Sequence, residues 1–431
     1  MVHDLCRNIY SDFASGDTAA AAELSDVAFV QRILDTEAAL ARVVGRLGLV
    51  EQETVDKTLP LINAFVIDMP ELSAASAAGG NPAIPVAKGL KAVAKDAGVP
   101  VSAIHTGATS QDVIDTALVL CLRAASNVIL ADLAQVRVIL TDLVKTHRDT
   151  TVIGRTLGQQ AVPTTFGAIA AGWLESVVEA KEDLEGSVGK LPVQYAGAAG
   201  NLAFSYPDGV AIHDALASEL DLAASPLVWH TNRVPLVRVS NALATVAGAV
   251  RKIAGDVVFH AATEVSELRE AAPGGSSAMP HKANPAAAVA CDGYARRAPG
   301  LAATMLDAMD QRMQRATGAW HVEWQTVRDL AATTASAVNR IRASLDGITV
   351  DTDAMDRNLE LTDGAVLAEA LGKYVPRAQI DEAVVAGELQ ELMQTAAKKH
   401  GFSTSPADHT GHAGDVVDAV LRAVSNTNDN T

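Results

Sequence analysis

No proline lies between Pro100 and Pro163, between Pro235 and Pro273, or between Pro299 and Pro376. Proline inside a helix removes a hydrogen bond and clashes with the preceding turn, so long helices fit only in spans like these. Within the first span the apolar residues keep a helical period. Val113, Ile114, Ala117, Leu118, Cys121 and Leu122 form one stripe at i, i+1, i+4, i+5, i+8 and i+9. Thr109 with Asp112 three residues on reads as a capping box that opens this helix. The run from Asn241 to Ala272 reads as a second long helix, and Leu301 to Leu345 as a third. Strand signals are weak. The place for short extended structure is "TVIGRTLGQQAVPTTFG", from Thr151 to Gly167.

An all-α chain is the expected class, and the composition agrees. Apolar residues make up 49% of the 431 positions but aromatics only 4%, so small and aliphatic side chains must fill closely packed helices. The expected division is a small N-terminal helical domain (1–108), a long-helix bundle (109–348) and a small C-terminal helical domain (349–431). The polar end "SNTNDNT" is expected to be disordered. Apolar stripes on helices this long need partners, which points to an oligomer.

A net charge of -17 rules out a basic footprint for nucleic acid and a polybasic membrane patch. An anion can still bind where Arg, Lys, His and backbone N–H groups converge. Cys6, Cys121 and Cys291 are odd in number and lack metal-ligand spacing, so they read as reduced thiols of a cytoplasmic protein. The start, "MVHDLCRNIYSDFASGD", has acids and no long apolar run, unlike a signal peptide. No uninterrupted apolar run matches a bilayer span. No cluster of ligating residues calls for a metal, and no glycine pattern for a phosphate loop.

One stretch breaks the helical pattern completely: "PGGSSAMPHKANP", Pro273 to Pro285. Gly274 and Gly275 permit backbone conformations closed to other residues. Ser276 and Ser277 offer hydroxyls, Lys282 a positive charge, and Asn284 a neutral donor and acceptor. Pro285 can begin a helix whose first N–H groups favour anions. These parts suit holding a carboxylate and moving a proton beside it. A glycine–serine pair alone would read as a surface linker; the complete string decides otherwise.

Gly-Ser-Ser-x-Met-Pro-x-Lys-x-Asn-Pro is the signature of the fumarase/aspartase superfamily, and residues 275–285 match every fixed position. "GATSQDVIDTALVLCLR" (Gly107 to Arg123) and "GRTLGQQAVPTTFG" (Gly154 to Gly167) resemble that superfamily's two substrate-binding segments. Four further segments look most like the 3-carboxy-cis,cis-muconate cycloisomerases: "GGNPAIPV" at Gly79, "HTGATSQDVIDT" at His105, "VWHTNR" at Val228 and "GAWHVEWQTV" at Gly318. "NLELTDGAVLAEAL" at Asn358 fits the family's C-terminal region.

The resemblance implies a three-domain, mostly helical fold. It implies a homotetramer with a twenty-helix core and active sites shared between three subunits. It also implies catalysis without metal or organic cofactor, on a small polycarboxylate. The reaction implied interconverts 3-carboxy-cis,cis-muconate and 4-carboxymuconolactone in the β-ketoadipate route of aromatic catabolism. By the same resemblance Ser276 is the acid/base, with Lys282 beside it as a catalytic residue. Lys282 and Asn284 hold a substrate carboxylate, and Thr109, Ser110 and Gln111 hold a second. Gln159, Arg155, His105 and Asn81 add contacts. Leu157 stands where many relatives have histidine, which argues against adenylosuccinate lyase and leaves any second acid/base group open. Another superfamily lyase, or a catalytically silent crystallin-like protein, are the alternative readings. His230, His281 and His321 read as packing or surface residues, Arg296 and Arg297 as helix-end charges, and Trp320 with Trp324 as one packed helical face.

Overall fold

The computed structural model describes residues 18–225, 228–315 and 317–426. The N-terminal stretch with Cys6 lies outside them, as do the last five residues of the polar tail. Ser425 and Asn426, expected to be disordered with that tail, instead end a helix, Ala413–Asn426.

Four long helices dominate: Ser110–Thr146, Phe166–Val188, Val234–His260 and Ala319–Leu345. The first starts one residue after Thr109, where the capping pattern puts it. From Gln111 to Leu122 it is buried on every side, not along one stripe. Further on, the buried residues narrow to Ile129, Leu133, Val136, Leu140 and Val144, a single seam, while Val138 is exposed. By length and mean hydropathy this helix would pass as a membrane span, although charged residues such as Asp115, Arg123 and Asp132 interrupt its apolar runs. Yet 72% of its most apolar window is buried inside the chain, as in a core helix.

Two expected helices have different limits. The second runs over Val234–His260, and beyond it the backbone turns at Ser266, whose φ is 54°, so that Glu267 enters the interior. The expected third is two helices, Ala298–Asp307 and Ala319–Leu345, separated by a segment containing Met313 and Gly318 at positive φ. The charged run around Asp310, Arg312 and Arg315 has no apolar stripe to bury, so the helix does not persist there. The glycine–serine loop leads into a short helix, Ala286–Ala295.

The chain divides into two compact, interleaved units. The first comprises Met1–Ala131, Glu182–Ala247 and Tyr294–Ser336. Its main core joins Ile33, Leu40 and Val44 of the Asp26–Arg46 helix to Val55, Ile62, Leu90, Val113 and Ile212. Ser25 begins that helix by accepting a hydrogen bond from the Ala28 N–H at 3.1 Å. Trp320 packs with Ala83 and Ile114, and meets Trp324 edge to face at 4.8 Å, so these tryptophans share a packed face.

The second unit comprises Asp132–Lys181, Gly248–Gly293 and Ala337–Thr431. It holds the extended structure expected near Thr151: strands Thr151–Thr156 and Gln159–Thr165 pair antiparallel. Leu157 and Gly158, both at positive φ, form the two-residue turn between them. A second, unanticipated pairing joins Leu268–Arg269 to Thr349–Val350. The C-terminal helices enclose their own core of Leu359, Leu367, Leu371, Ile380, Met393 and Phe402, with Ile153 from the hairpin.

Candidate active site

The ten sequence-selected residues fall into two sets. Asn81, His105, Thr109, Ser110 and Gln111 belong to the first unit; Arg155, Gln159, Ser276, Lys282 and Asn284 belong to the second.

In the first set, Asp112 organises the start of the long helix. One oxygen accepts from the N–H of Thr109 at 2.9 Å, which is the backward half of a capping box, and from Gly197 N–H at 3.0 Å. The other accepts from Ala196 N–H at 3.1 Å and contacts His230 Nε2 at 2.7 Å. The Thr109 hydroxyl is thereby left to accept from Arg315 at 2.9 Å. Arg315 also donates to the carbonyl of Ala198 at 3.1 Å, and its Nε is buried with no partner among the described residues. A guanidinium with unused donors, seated on a hydroxyl at a helix start, is suited to a carboxylate ligand. Ser110 is half-buried beside it.

The Gly107 backbone reaches φ 67° in this segment. A Cβ there would lie 2.1 Å from Ser205 Oγ and 2.4 Å from the Tyr195 hydroxyl, so only glycine lets those groups close in. His105, also at positive φ, places Nδ1 2.6 Å from Glu37 Oε1. Asn81 uses Oδ1 to accept from the N–H groups of Ala83 and Ile84, starting the Ala83–Asp96 helix.

Gln111 is fully buried. Its amide donates to Asp115 at 3.2 Å and to the carbonyl of His230 at 2.9 Å. Beneath it Arg233 is clamped between Asp115 and Glu323, all three side chains inaccessible, with Trp320 Nε1 donating to Asp115 at 2.9 Å. Burial, with Asp115 on the same guanidinium, pushes the Glu323 carboxyl up to about 7 against the pull of Arg233. His230 is likewise a packed residue.

In the second set, the glycine–serine loop is closed at its base. Gly274 and Asn284 exchange backbone hydrogen bonds of 2.8 and 2.9 Å, and the Asn284 amide donates to the carbonyls of Gly274 and Gly275. Ser276 is half-buried, and its Oγ accepts from the N–H groups of Ala278 at 3.3 Å and Met279 at 3.1 Å. Two donors aimed at a serine oxygen favour its negatively charged form. Lys282 and His281 are exposed. The start of the next helix, expected to attract an external anion, is already served by the chain: buried Glu270 accepts from the N–H groups of Ala287 and Ala288.

Arg155 is not a free cation. It makes a two-pronged pair with Glu267 at 3.0 and 2.6 Å and lies over the Phe259 ring. Glu267 also takes hydrogen bonds from His260 and Asn358. Burial alone would raise its carboxyl, but the hydrogen bonds from His260, Arg155 and Asn358 hold it at about 2. Gln159 is exposed next to the hairpin tip, and Leu157 projects fully into solvent.

A family model described as lyase matches residues 86–300, the span that contains the helix start, the hairpin and the serine loop. Over 88% of this chain and 84% of the relative, the sequence is 38% identical to a 3-carboxy-cis,cis-muconate cycloisomerase of Bradyrhizobium diazoefficiens. The chain belongs to the fumarase/aspartase superfamily. A nitrosuccinate lyase of Streptomyces davaonensis is also 38% identical, over 85% of this chain and 81% of that one. The crystal structure of the 3-carboxy-cis,cis-muconate lactonizing enzyme from Pseudomonas putida superposes with a TM-score of 0.88, at 34% identity, covering 96% of this chain and 98% of that one.

For this superfamily member the sequence reading missed Arg315, Glu37 and Glu270 as parts of the local architecture. Arg315 follows a non-helical charged run and precedes Gly318, a signal that it sits in a loop free to meet another element. Glu37 carries a weaker signal: unlike Asp35, it falls on the helix face shared by Ile33, Leu34, Leu40 and Ala41.

Proposed function

We propose that this chain is a 3-carboxy-cis,cis-muconate cycloisomerase, an intramolecular lyase that closes the muconate to 4-carboxymuconolactone and reopens it. The observation that carries the reading is Ser276, whose oxygen accepts two backbone hydrogen bonds inside a complete superfamily loop. In lactone closure a substrate carboxylate attacks the far double bond. The neighbouring carbon takes up negative charge that spreads into its own carboxylate, and a proton is delivered to that carbon. In reopening, the proton leaves, the double bond re-forms and the lactone C–O bond breaks. Ser276 as hydroxyl gives the proton and as alkoxide takes it. The backbone donors from Ala278 and Met279 stabilise the alkoxide without a metal or cofactor. Lys282 neutralises the growing carboxylate charge, Asn284 sets the loop base that aims the serine, and Arg315 with Thr109 and Ser110 binds another carboxylate. The attacking carboxylate needs no base, which is compatible with leucine at 157.

The working form on this reading is a homotetramer with sites shared between subunits, built from three consecutive domains (1–108, 109–348 and 349–431) and located in the cytoplasm. The two described cysteines, Cys121 and Cys291, are buried free thiols, as a reducing compartment would keep them.

The test is loss of diene absorbance when the purified protein meets 3-carboxy-cis,cis-muconate, with Ser276→Ala expected to abolish it while assembly persists. The nitrosuccinate lyase likeness supports a second reading within the same chemistry, elimination beside a carboxylate. Nitrite release from nitrosuccinate with an unchanged diene signal would replace the first reading by the second.

A further inference from the structure

Glu37 lies in the interior of the Asp26–Arg46 helix, 1% exposed, among Ile33, Leu34, Ala38, Leu40 and Ala41. A carboxylate placed there is costly unless it is paired. Both of its oxygens go to a single residue, 68 positions away in the chain. Oε2 accepts from the backbone N–H of His105 at 2.9 Å, and Oε1 lies 2.6 Å from the ring Nδ1. His105 has a backbone φ of 57°, a left-handed conformation that few non-glycine residues adopt.

The neighbours lock the same segment. Thr106 donates its hydroxyl to the Ser102 carbonyl, the Tyr195 hydroxyl donates to the Thr106 carbonyl at 3.1 Å, and Gly107 is wedged against Ser205 and Tyr195. The His105 side chain keeps 16% of its surface accessible, and its Nε2 has no partner among the described residues. A buried acid whose only task was to be neutralised would be replaced at little cost by an aliphatic side chain. An acid that grips both the backbone and one ring nitrogen of a strained histidine controls where the other nitrogen points.

We infer that Glu37 is a positioning residue for the reaction: it holds His105 through Nδ1–H, so that Nε2 is left as the acceptor nitrogen and faces the substrate. The inference rests on the lactone-forming reading above and adds a residue to the same site. No bond to Glu37 changes during turnover. Its part is to fix the tautomer and the aim of the ring.

The test combines a spectrum with a mutant cycle. Histidine labelled with 15N in the resting, full-length enzyme, with the His105 signals assigned by their loss in His105→Asn, should show Nδ1 protonated. A bare Nδ1 overturns the proposal. The spectrum needs no substrate, so inactivity on carboxymuconate would count against the functional reading and not against the tautomer. In kinetics, His105→Asn keeps a donor facing Glu37 and tolerates positive φ, but lacks the second ring nitrogen. It should lose at least tenfold in kcat/KM with little change in melting temperature. Glu37→Gln should lose a similar factor, and the double variant should be no worse than His105→Asn alone. Additive losses, or full activity in His105→Asn, overturn the proposal even if Glu37→Gln folds poorly.

Discussion

Arg155 and Glu267 hold each other through two nitrogen–oxygen contacts, with Glu267 wholly inaccessible and Arg155 nearly so. An arginine that the sequence offers as a substrate contact is thus committed to joining the hairpin to the segment before the serine loop. Glu267→Gln leaves that guanidinium half-paired in a buried place and should cost about 3 kcal/mol, read as a lower urea midpoint. Because the folded carboxyl sits near 2 and the ordinary value is 4.5, its contribution is complete above pH 4.5 and drains away as pH falls toward 2. The wild type should lose stability across that window. The variant should lack that share of the loss.

Glu323 predicts the opposite slope. Its carboxyl is raised to about 7, so the folded chain keeps a proton that the unfolded chain has released. Stability from this group is full below pH 4.5 and lost as pH rises through 7. Glu323→Gln should flatten stability against pH between those values. An unchanged slope in denaturant titrations would contradict the assignment.

Gly107 tests how tightly the first binding segment is held. Gly107→Ala adds a Cβ within 2.4 Å of two hydroxyl oxygens at a φ that L residues avoid. The expected cost is about 2 kcal/mol or more, seen as a fall of about 2 °C or more in melting temperature.

Arg315 should act on affinity more than on folding. Arg315→Met removes the proposed charge-assisted carboxylate contact of about 2 kcal/mol, so KM should rise roughly thirtyfold, with a smaller fall in stability from the lost bonds to Thr109 and Ala198. Arg315→Lys should recover only part of this, because an ammonium lacks the forked donor geometry.

Leu157 is an exposed apolar side chain at φ 52° in a two-residue hairpin turn completed by glycine. Leu157→Asn creates the asparagine–glycine pair such turns favour and should raise stability by roughly 0.5 kcal/mol, a small upward shift in melting temperature.

Proline spacing, the helical period after Thr109 and the serine-loop string determine the all-α class, the start of the 37-residue helix and the superfamily. These are local properties: a proline forbids an interior turn wherever it stands, and a motif carries its own donors. Tertiary structure alone decided which polar groups remain available to a ligand. Arg155 and Gln111 have the right chemistry in the string but are consumed by Glu267 and by Asp115 with His230, whereas Arg315, 206 positions from Thr109, supplies unused donors. The helix after Pro285 is closed in the same way by Glu270. The reason is that buried polar groups must be satisfied, and their partners come from distant parts of the chain that no local pattern reports.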